Sequence, residues 1–183
     1  MRSRVGTTLL FACAVSRFRK NRDGSAAIQF ALIGIPFLMM LFAIFETALV
    51  FFANQAFETA VQDSARQIMT GQLQMAGKTS AQFKTDICQR ITALFTCDGV
   101  DVDVKSYPSF ATVDVSKPID SSGNYIKLSR FEPGNAGNIV VVRGTYRWPL
   151  FVTGLGFSLG DVDGKSKKLM VATAAFRNEP GPF

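Results

Sequence analysis

Residues 25–45 run for 21 positions without a formal charge, a stretch that narrows the choice of fold more than anything else in the chain. At about 1.5 Å of rise per residue, a helix of that length covers the roughly 30 Å hydrocarbon layer of a bilayer. A buried helix of a soluble protein rarely needs so long an uninterrupted run, so the stretch predicts a transmembrane helix. Two polar groups mark its ends: Gln29 near the start and Glu46 just past the uncharged run. Both are costly in lipid without a partner, which suits a helix that packs beside other helices better than a lone anchor.

Charge is distributed unevenly around this segment. Six of the twenty Lys and Arg residues precede Gly24 against the single acid Asp23, and the first basic residue after the span is Arg66. By the positive-inside bias the N-terminus is cytoplasmic and about 130 residues lie beyond the membrane. The remaining fourteen basic and thirteen acidic side chains nearly balance, so a nucleic-acid footprint spread over a folded face is disfavoured. A shorter apolar run, residues 5–15, cannot cross a bilayer and reads as a membrane-surface helix. It is followed by SRFRKNR rather than by a small-residue cleavage site.

Helical periodicity continues past the span. Val50, Ala53, Phe57, Val61, Ala65 and Ile68 recur at spacings of three and four, with Gly71 as the expected stop. A second helix follows, with Phe83, Ile87, Ile91 and Leu94 on one side and Ser80 as its expected N-cap. The period then changes to two. Val100, Val102 and Val104 alternate with polar residues, as do Ala111, Val113 and Val115, and Tyr107-Pro108 lies between them, which predicts a hairpin. Residues 117–138 read as loop, residues 139–148 as a long strand with Gly144 as a bulge, and residues 169–176 as a last strand. The expected fold is α+β: a long N-terminal transmembrane helix continuing into a small outer domain with a second helix and an antiparallel sheet of about four strands. The expected organisation is a basic leader over 1–24, a membrane helix over 25–53, its extension over 54–73, and the α+β domain over 74–183.

Cys13 falls on the cytoplasmic side, which leaves Cys88 and Cys97 together in an oxidising compartment. They are expected to form a disulfide, the alternative being two buried thiols. The chain has no histidine, which removes Ser-His, Cys-His and zinc-hydrolase chemistry together. Carboxylate chemistry stays open at Asp101 with Asp103, and a calcium loop at Asp161 with Asp163. The plainer readings are the wet side of a strand and an ordinary turn. Arg143, Arg147 and Trp148 suggest an anion or cation-π cluster or, more simply, a solvated strand face. No cofactor, metal or enzymatic activity is expected.

The basic leader ending in Gly24, followed by Ser25-Ala26-Ala27-Ile28-Gln29-Phe30-Ala31-Leu32, resembles the processing site and helix start of type IV pilin-like proteins. It is most similar to the TadE-like family of tight-adherence (Tad) pilus systems. The resemblance continues through Pro36, Glu46, the cysteine pair and the closing Phe176-Arg177-Asn178-Glu179-Pro180. It implies a prepilin peptidase that cuts after Gly24, and a family glutamate at the position held here by Gln29. The implied role is that of a minor pilin or pseudopilin in pilus assembly for surface adhesion. Its location would be the bacterial inner membrane, with a single pass, a cytoplasmic N-terminus and a periplasmic C-terminal domain, and its contacts with other pilus proteins would run through the N-terminal helix. A membrane-anchored periplasmic binding or sensory domain is the alternative.

Overall fold

The computed structural model describes residues 24–151 and 159–181; the leader, its apolar run and Cys13 lie outside them. By internal contacts the chain divides into two units, residues 1–43 and 44–183. Helix α1 (Ser25–Met69) begins in the first and ends in the second. Within the first unit its large side chains, Phe30, Leu32 and Phe37 among them, lie open rather than packed in a core.

The second unit is an α+β fold. After α1 come the short α2 (Gln72–Met75), α3 (Ser80–Ile91), and strands β1 (Val100–Tyr107), β2 (Ile139–Pro149) and β3 (Lys167–Arg177). The strands form an antiparallel sheet in the order β1-β2-β3. The outer part of α1 lays its stripe of Val50, Ala53, Phe57, Val61, Ala65 and Ile68 against the sheet, all of them buried. As its glycine suggests, α1 stops at Gly71, whose left-handed φ of 74° a side chain with a Cβ rarely adopts. The chain end is tied back to the helix end where the Glu179 amide donates to the Met69 carbonyl at 2.9 Å.

Four local expectations differ from what is observed. The N-cap of α3 is Thr79 rather than Ser80. Its hydroxyl accepts from the Gln82 amide while Gln82 reaches back to the Thr79 amide at 2.8 Å, and a cap paired with an amide side chain three residues on outcompetes a lone serine.

The sheet has three strands rather than about four, because the 100–115 hairpin does not form. Residues Phe110–Thr112 turn into a 3-10 helix. The outer edge of β1 is taken instead by residues 130–132, through Val104 to Arg130 at 2.8 Å and Glu132 to Val104 at 2.9 Å. Val102 and Val104 are buried by pairing with β2, whereas in 111–115 only Val113 packs, half-buried, against the small cluster of Tyr107, Ile139 and Val141, and Val115 is exposed.

Gly144 is not at a bulge, since the register runs unbroken from Val102 through Gly144 to Ala172. It is small because α1 crosses there. A Cβ on Gly144 would lie 2.7 Å from Val61 Cγ2 and 2.9 Å from Phe57 Cζ.

The sheet face bearing Asp101, Asp103 and Arg143 is not a wet side. Asp103 and Arg143 are 6% and 7% exposed. The segment after β1 folds over them: Arg143 donates to the Asp114 and Ser116 carbonyls, and Asp103 pairs with Arg130 at 3.1 Å. Buried ions persist only when so compensated.

Candidate anchor and processing site

At the start of α1 the Gly24 carbonyl accepts the first helical hydrogen bond, from the Ile28 amide at 3.1 Å. Gly24 and Ser25 are exposed, and nothing lies within 4 Å of where a Gly24 side chain would be. The Gly24–Ser25 peptide therefore sits, exposed, at the very start of α1. One turn further on, the Gln29 side chain reaches back and donates to the Ser25 hydroxyl at 3.4 Å. Residue 29 is thus adjacent in space to the amine that a cut after Gly24 would create. The chain passes Pro36 within the helix, where the imino ring removes one backbone donor.

α1 is long and apolar enough to cross a membrane, and the side chains of its most apolar stretch are not buried inside the molecule. Just beyond that stretch, Glu46 accepts a hydrogen bond from the Phe151 amide, two residues past the end of β2. The domain core begins one turn later, at Val50. Glu46 thus ties α1 to the chain just after β2 within the second unit, which its place in the sequence did not reveal.

Cys88 and Cys97 form a disulfide across a separation of nine residues. It clips the end of α3 to the turn Cys97–Gly99 ahead of β1 and frames Phe95. That ring stacks on Phe57 at 5.4 Å and meets Tyr146 and Trp148 edge-on at 4.8 and 5.4 Å. Sequence reasoning overlooked Phe95; an aromatic residue enclosed by the two cysteines was the available signal. Trp148 belongs to this cluster, on the opposite sheet face from Arg143 and Arg147, so the three do not converge.

The acids considered for chemistry are each engaged with cations. Asp101 pairs with Lys127 at 3.0 Å and accepts from the Tyr125 hydroxyl at 3.2 Å, and the same hydroxyl lies 2.6 Å from Thr145. Burial, foremost, pushes the Tyr125 phenol above its usual pKa, and the Asp101 charge adds to that. Asp161 is shared by Lys168 at 3.0 Å and Lys117 at 3.5 Å, Asp163 by Lys167 at 3.2 Å and Arg147 at 3.4 Å. The turn after Asp161 holds Asp163, Gly164 and Lys165 at φ of 51°, 68° and 66°. Among the described residues no group of three or more His, Cys, Asp or Glu converges as a metal site would require.

No curated protein and no solved structure matches the chain. Among protein families, the model described as TadE-like protein matches residues 24–66, so the segment that carries Gly24, Ser25, Gln29, Pro36 and Glu46 is TadE-like, as the leader-and-helix pattern implied.

Proposed function

We propose that this protein is a non-enzymatic, TadE-like minor pilin or pseudopilin that takes part in assembly of a Tad-type pilus used in surface adhesion. In this reading the uncharged residues 25–45 cross the inner membrane. The basic leader is held in the cytoplasm, and the domain carried by the outer part of α1 faces the periplasm. The observation that carries the proposal is the exposed Gly24–Ser25 peptide at the head of an apolar helix, within the TadE-like segment. A prepilin peptidase cutting there would leave a new ammonium on Ser25, one turn from residue 29. Gln29 can accept a hydrogen bond from it through its amide oxygen but cannot neutralise it, so a carboxylate from a neighbouring subunit's helix is the expected counter-charge. Lateral contacts to other pilus proteins run along the open apolar face of α1, with Pro36 and Glu46 as its shaping positions. The pairing of Asp101, Asp103, Asp161 and Asp163 with basic partners supports assembly over catalysis.

The test is the N-terminus of the protein extracted from membranes of cells with an active peptidase. A chain beginning at Ser25 is expected, and Gln29→Glu should be cut at least as completely. An intact Met1 terminus in both would overturn the processing step and favour a permanent anchor.

A further inference from the structure

The end of the sheet nearest Glu46 combines two features that the proposed function does not use. Phe151 is 82% exposed, yet its backbone is held in place: its amide is bonded to Glu46, and the preceding Leu150 amide donates to the Ser166 carbonyl at 3.2 Å. A large aromatic side chain fixed in the open is the first feature. Around the same end lie five basic side chains, Lys117, Arg147, Lys165, Lys167 and Lys168. Asp161 and Asp163 form ion pairs with Lys117, Arg147, Lys167 and Lys168, and Glu46 is a third acid at this end, so the five bases outnumber these acids by two.

Glu46 is the first charged residue after the uncharged run 25–45, so if that run spans the bilayer, Glu46 marks its outer surface. Phe151 is tied to Glu46 and must lie at that level. We infer that the β2–β3 end of the domain docks on the bilayer, with Phe151 buried at the headgroup–acyl boundary and the basic cluster gripping anionic phospholipid headgroups. The occupant is a lipid surface because Glu46, where the uncharged run ends, is bonded to Phe151 beside the patch, and the patch carries the complementary charge. Phe, like Trp and Leu, serves as the apolar side of segments seated at this headgroup–acyl depth, and each basic residue near an anionic surface strengthens attachment about fivefold.

The inference rests on the membrane-spanning reading, so the experiment separates the two. Full-length Phe151→Trp protein is reconstituted into phosphatidylcholine vesicles with and without phosphatidylglycerol, and the emission of Trp148 in the unaltered protein is subtracted. Because the replaced side chain is exposed, the variant folds. The added emission should be blue-shifted, quenched by lipid brominated on the acyl chain, and quenched more when phosphatidylglycerol is present. That last gain should be lost on adding Lys117→Gln and Lys165→Asn. Water-like emission quenched by aqueous iodide, in protein that resists alkaline extraction from the vesicles, would overturn the docking alone. A gain from phosphatidylglycerol that survives loss of the two lysines would overturn the role of the basic cluster. Extraction by alkali would overturn the membrane-spanning reading and the docking with it.

Discussion

Gly144 shows how much one missing methyl group can decide. Val61 and Phe57 occupy the space over its Cα, so Gly144→Ala forces the helix off the sheet or these two side chains off their rotamers. The expected loss is about 1–3 kcal/mol, the usual cost of overpacking a filled core, read as a lower denaturant midpoint of the full chain in detergent. An unchanged midpoint would mean that α1 can move away freely. Asp161 makes a second prediction. Its burial works to raise the carboxyl pKa, but the Leu169 amide, Lys168 and Lys117 together outweigh this and hold it below the usual value. A folded pKa below the unfolded one contributes stability above about pH 4, and that stability is lost as pH falls through the lower folded value. Asp161→Asn should therefore be less stable at neutral pH and lose less on acidification than the native chain. Denaturation midpoints at neutral and acid pH check this, and equal acid losses in both proteins would refute it.

Among the elements, the disulfide and the aromatic cluster act together. Cys88 sits on α3 with a buried side chain, Cys97 opens the turn into β1, and Phe95 between them fills the space among Phe57, Tyr146 and Trp148. Replacing both cysteines by serine frees a short loop in the unfolded chain and is expected to cost about 3 kcal/mol. Emission from Trp148 should report the change, shifting to the red at lower denaturant, because its ring packs on Phe95. A variant as stable as the oxidised protein would show that packing alone holds Phe95. Long α1, α3 and β2 were legible because each carries many residues of one period. The segment 111–115 shares the alternation of a strand without the partners, and alternation alone does not say which edge a strand will find.

For the whole molecule, the sequence was enough to place a membrane-length helix behind Gly24, to favour a Cys88–Cys97 disulfide over two thiols, and to fix an α+β class. These follow from local quantities: a run of uncharged residues, a charge step, a change of period. Only the tertiary structure decided that Gly144 is a crossing point, that Asp103 and Arg143 are covered, that Phe95 is central, and that Glu46 meets Phe151. Each of these is a contact between residues distant in the chain, and such contacts arise from which faces the packed elements leave for one another. Periodicity records that a face is apolar; it carries no information about what will cover it.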